Sequence, residues 1–144
     1  MSIRRREVMV GAAGILAAGV ASSAFAAEGA PSAPVSATAL AGAAARCVDA
    51  GNECLQHCLD MLSAGDTTLA DCAREVRQMV AVCAAAGPMA YAGGKRLGGF
   101  ARVCADVCGD CEKACRKHEA EHEVCKRCAE ACARFIAEAR KVAA

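Results

Sequence analysis

Tryptophan is absent from this 144-residue chain, tyrosine occurs once, and aromatic residues make up only 3% of it. With so few aromatics, and no basic face to set beside them, nothing points to nucleic acid as a partner. Proline is confined to Pro31, Pro34 and Pro88. Alternating strand-like segments are missing, and so is any repeat of longer period. No nucleophile–base pair and no cofactor-binding loop can be found, so the chain reads as a protein that is not an enzyme. What is abundant is cysteine, with twelve residues.

The first 26 residues read as an export signal. Arg4, Arg5 and Arg6 precede a run of small and apolar residues from Val8 to Val20, and Ala24-Phe25-Ala26 supplies a cleavage site. The paired arginines resemble the twin-arginine signal, with Val8 where an aromatic is usual. The apolar run is too short for a membrane anchor, so no membrane association is expected once the signal is removed. That destination is the bacterial periplasm. Removing Arg4, Arg5, Arg6 and Glu7 with the signal leaves 14 Lys+Arg against 15 Asp+Glu, a net charge of −1.

Residues 27–37, with Pro31 and Pro34 among Ala and Ser, read as a flexible arm, and residues 38–144 as one domain. Within it the cysteines recur in steps of three and four, most densely in the 29 positions from Cys104 to Cys132, which hold seven of the twelve. Such steps keep side chains on one face of a helix. Helices are expected from about Thr38 to Leu62, up to about Ala86, from Phe100 to Lys117 and from Glu121 to Val142. Gly87-Pro88 should end the second, leaving 87–99 as a glycine-rich connector, and the turn 63–68 should cap the same helix at its start. Four amphipathic helices with mostly short links make an all-α, up-down-up-down four-helix bundle with a cysteine-lined core.

Several chemistries compete for such a core. Neighbours at i,i+3 and i,i+4 have Cβ atoms about 5–6 Å apart, whereas a disulfide needs about 3.5–4.5 Å. Bridges within a helix are therefore excluded, while bridges between helices remain open. Cys104-x3-Cys108-x2-Cys111 has a radical-SAM spacing, but the motif belongs on a loop of a far larger barrel. No C-x-x-C-H occurs, so covalent haem is out. Zinc prefers closed sets of four ligands, into which continuous rows do not divide naturally, though a zinc cluster stays open. Buried cysteine is also a small hydrophobe, a reading that suits one or two residues better than twelve. Cu(I) suits the rows best, because it is soft and accepts two or three sulfurs. A dry core cannot hold bare thiolates. One Cu(I) per thiolate would make it neutral, giving on the order of twelve ions, or about six without bridging sulfurs.

The motifs C-L-Q-H-C (54–58), C-A-D-V-C (104–108), C-E-K-A-C (111–115) and C-A-E-A-C (128–132), behind a twin-arginine-like leader, resemble the exported copper storage proteins. The resemblance covers essentially the whole mature chain. It implies that Cys47, Cys54, Cys58, Cys72, Cys83, Cys104, Cys108, Cys111, Cys115, Cys125, Cys128 and Cys132 hold multiple Cu(I) ions. It further implies a homo-oligomer that supplies copper enzymes or detoxifies copper. A disulfide-stabilised structural or interaction bundle is the alternative. Gly51, where a cysteine would have paired with Cys47, and the glycine-rich connector depart from the family pattern.

The two ends of the bundle differ. Leu40, Leu97, Phe100, Phe135 and Ile136 should form an apolar plug at one end. At the other, His57, Met61, His118 and His122 lie beyond the last thiols and are candidates for the place where copper enters. Met79 lies in a thiol row between Cys72 and Cys83, with packing favoured over ligation.

Overall fold

The computed structural model describes residues 34–144. The expected signal and most of the arm lie outside them. The described chain forms α1 (Val35–Ser63), α2 (Ala70–Ala92), α3 (Leu97–Arg116) and α4 (Glu123–Ala143), with no strand among the described residues. α1 packs on α2 and α4, α3 packs on the same two, and the diagonal backbones stay apart. Joined by the short links 64–69, 93–96 and 117–122, they form an antiparallel four-helix bundle. No described helix is long and apolar enough to cross a membrane.

Three boundaries differ from the sequence expectation. α1 begins at Val35, so the last residues of the expected arm are helical. α2 does not stop at Gly87-Pro88 but runs through both to Ala92. A proline ring removes one helical hydrogen bond, to the carbonyl four residues back. Here Ala84 and Pro88 are both exposed, on the side of the helix that faces solvent, while Ala86 and Ala90 remain buried. The helix ends instead at Gly93, whose φ of +64° suits a residue without a Cβ and whose N–H bonds to the Met89 carbonyl at 3.0 Å. The connector shrinks to residues 93–96, and Gly98 and Gly99 fall inside α3.

The expected cap of α2 is also different. Asp66 Oδ1 accepts the Thr68 N–H at 2.9 Å in a local turn, and no side chain caps the helix. Leu69 occupies the cap position and is fully buried. It is an apolar contact that the polar turn sequence concealed.

Along the interior, side-chain chemistry changes in layers. Leu40 and Phe135 are buried at one end, with Leu97, Phe100 and Ile136 packed against them. Ala37, Ala41, Ala44, Ala86, Ala90, Ala101 and Ala139 are buried with them in the core. Next come the cysteines, and last the histidines of the far turn. The described ion pairs lie on the surface, mostly within one helix, with Arg127–Glu53 (2.8 Å) joining α4 to α1. Exposed pairs of this kind add little stability. The bundle rests on its interior.

Candidate metal centre

The inward row of α1 carries Cys47, Cys54 and Cys58, and α2 carries Cys72 and Cys83. α3 brings Cys104, Cys108, Cys111 and Cys115, and α4 brings Cys125, Cys128 and Cys132. Every one of the twelve is a free thiol, and none is more than 1% exposed. Among the described residues no polar or charged side chain is buried. No guanidinium or ammonium is therefore at hand to neutralise a thiolate.

Sulfurs from different helices meet at the centre. Cys72 and Cys115 are 3.5 Å apart, Cys83 and Cys108 3.5 Å, and Cys111 and Cys128 3.9 Å. Cys54 donates to Cys125 at 3.7 Å and lies 4.0 Å from Cys72. Four trios have sulfurs mutually within 4.8 Å and are able to hold an ion: Cys47/Cys108/Cys132, Cys111/Cys128/Cys132, Cys54/Cys115/Cys128 and Cys54/Cys58/Cys72. Two of these draw one thiol each from α1, α3 and α4, a grouping that spacing along one helix does not reveal. Cys83, Cys104 and Cys125 belong to no trio, and Cys104 instead donates to the Val82 carbonyl at 3.9 Å.

The thiols divide by how their protons are shared. Hydrogen bonds from Cys115 and Cys125 hold Cys72 well below the ordinary thiol range, and those from Cys111 and Cys115 do the same for Cys128. Cys47 is lowered mainly by Cys108, and Cys58 mainly by Cys125. Cys54, Cys115 and Cys132 are pushed up, chiefly through hydrogen bonds with Cys115, Cys111 and Cys108. Cys104 has no thiol donor, and burial pushes it up to about 11. The physical cause is the same throughout: a buried thiolate is tolerated only where neighbouring S–H groups point at it. Each trio thus holds at least one lowered thiol beside at least one raised one.

Gly51 and Met79 explain one another. A Cβ at Gly51 would stand 2.7 Å from Met79 Cε and 2.5 Å from Val80 Cγ2, closer than such atoms approach. The space where a cysteine would have paired with Cys47 is filled from α2. Met79 is fully buried there.

At the far end the three histidines gather. His57 Nε2 and His122 Nδ1 are 2.9 Å apart, one donating and the other accepting, and the His118 and His122 ring centroids lie 6.4 Å apart. His118 and His122 are not on a helix row: they belong to the turn before α4, where the His122 carbonyl accepts the Cys125 N–H at 2.9 Å. All three rings are half-buried, and Met61, near the end of α1, packs against the core.

A family model described as copper storage protein matches residues 35–144, the whole of the bundle. The chain belongs to the copper storage protein family. Among solved structures it is similar to apo copper storage protein 3 from Bacillus subtilis, at 30% identity and a TM-score of 0.64, covering 74% of this chain and 97% of that one. No curated protein sequence matches. The role that membership gives this chain is copper storage, and its thiol trios are groups that could hold metal ions.

Proposed function

We propose that the protein stores multiple Cu(I) ions on the thiolates of all twelve core cysteines. The observation that carries this is a set of twelve free thiols, none more than 1% exposed, with no buried cationic side chain among the described residues. Such a core is neutral either with its protons or with about one soft monovalent ion per sulfur. Anaerobic titration with Cu(I) is expected to saturate near twelve ions, or about six if sulfurs do not bridge, releasing about one proton per ion. Saturation at one or two ions would sink the storage reading. The same reading has the chain exported to the periplasm behind its twin-arginine-like leader, assembled as a homo-oligomer and supplying copper enzymes or detoxifying copper. The family match begins at residue 35, downstream of that leader.

Copper enters at the end formed by His57, Met61, His118 and His122. Thioether and imidazole hold Cu(I) less tightly than thiolate, so an ion caught there passes downhill to Cys58, Cys125, Cys72 and Cys115. The opposite end would have to open the Leu40–Phe135 layer around a charge. Replacing Met61, His118 and His122 together should slow both uptake and chelator removal and leave final copper content almost unchanged. Equal rates in the triple variant and the parent would refute the assignment.

A further inference from the structure

Followed along the bundle, the thiols are not evenly spread. Cys54, Cys58, Cys72, Cys115 and Cys125 lie on the histidine side. Cys47, Cys83, Cys104, Cys108 and Cys132 lie on the apolar side. Between these two sets of five stand only Cys111 and Cys128, both from the α3/α4 half of the bundle. The α1/α2 half offers Gly51, Val76 and Met79 at this level. The Met79 methyl and the Val80 and Val76 side chains all come within 3.7 Å of the position a Cβ of Gly51 would take, so apolar groups occupy the room. The four trios form a chain linked by single shared sulfurs. Cys54 joins Cys54/Cys58/Cys72 to the second histidine-side trio, Cys54/Cys115/Cys128, Cys128 joins that trio to Cys111/Cys128/Cys132, and Cys132 leads on to Cys47/Cys108/Cys132.

Resting on the storage reading above, we propose that this waist divides the core into two copper stores. Exchange between them passes through Cys128, with Cys111 beside it and Met79 as the apolar wall opposite. The transfer is a ligand exchange with no change of oxidation state. A Cu(I)–sulfur bond to Cys54 or Cys115 breaks as one to Cys132 forms, while Cys128 keeps hold of the ion. The proton leaving Cys132 goes to the thiolate just vacated, so the dry core stays neutral at each step. A neutral thioether or a valine methyl cannot replace a thiolate in that hand-over, because it supplies no negative charge to the moving ion. The histidine-side store is therefore the readily exchanged one, and the apolar-side store is the reserve.

The test uses the full Cu(I)-loaded protein, kept anaerobic and mixed with excess of a coloured Cu(I) chelator. The parent is expected to release copper in two phases of comparable amplitude. Cys128→Ala should slow the second phase about tenfold, equivalent to about 1.4 kcal/mol on its barrier, and change the first phase less, since the Cys54/Cys58/Cys72 trio of that store stays intact. Met79→Cys adds a thiol to the waist and should quicken the second phase. Met79→Leu keeps the wall without its sulfur and should change neither rate. A single release phase from fully loaded parent protein overturns the two-store proposal while leaving storage intact. An unchanged second phase in both Cys128→Ala and Met79→Cys overturns the assignment of the waist, and a slower one in Met79→Leu overturns the wall. Failure of the parent to load copper counts against storage itself.

Discussion

Replacing Phe135 by alanine is expected to cost the metal-free protein about 3–5 kcal/mol, the usual range for emptying a buried phenylalanine site. Phe135 is the largest fully buried side chain among the described residues. The buried core as a whole is mostly alanine and cysteine, and the few larger side chains at this end, Leu40 among them, already fill places of their own. Against a total stability of about 5–15 kcal/mol for a domain of this kind, the loss should lower the melting temperature by about 15 °C or more. Circular dichroism melts of the reduced, metal-free variant and parent measure this. Copper should restore much of the lost stability, because ions bound only by the folded state shift the equilibrium toward it. A melting temperature within a few degrees of the parent would show that the apolar end is not what closes the bundle.

Removing two thiols should have very different effects depending on which two. Cys54 and Cys128 between them take part in three of the four trios, and only Cys47/Cys108/Cys132 survives without them. The double variant Cys54→Ala/Cys128→Ala should therefore hold roughly half the parent's copper, because bridging is lost everywhere outside that one trio. Cys83 and Cys104 belong to no trio. Replacing both by alanine removes the same number of thiols and should cost only about two ions. Metal analysis of each variant after anaerobic loading and desalting decides the matter. Equal losses in the two doubles would mean that capacity follows thiol number and not the grouping of sulfurs.

Much of this was legible because cysteine in steps of three and four marks the inward face as plainly as leucine does. All twelve expected ligand positions are buried, and the antiparallel arrangement followed from the short links. What escaped notice depended on contacts between helices. Pro88 looked like a stop because its missing N–H is visible in the sequence, while the exposure of Ala84 is not. Gly51 looked like a lost ligand. Its role is set by Met79, which reaches the same space from another helix. Of the four C-x-x-x-C pairs, Cys54/Cys58 and Cys128/Cys132 each share a trio, whereas Cys104/Cys108 and Cys111/Cys115 do not. Sulfurs group across the centre, where the inward rows of four helices converge, and one-dimensional spacing carries no record of which rows face each other.

The membership of the trios also bears on how a filled bundle would hold itself together. α1, α3 and α4 contribute to three trios each or share their sulfurs repeatedly, whereas α2 enters only one, through Cys72. Ions in these positions would lash three helices into a frame. α2 is left secured mainly by Val76, Met79 and its alanines. Filling would thus stiffen the molecule unevenly, with amides of α2 opening more readily than those of the other three, and the helix that walls off the waist would remain the one most free to swing aside.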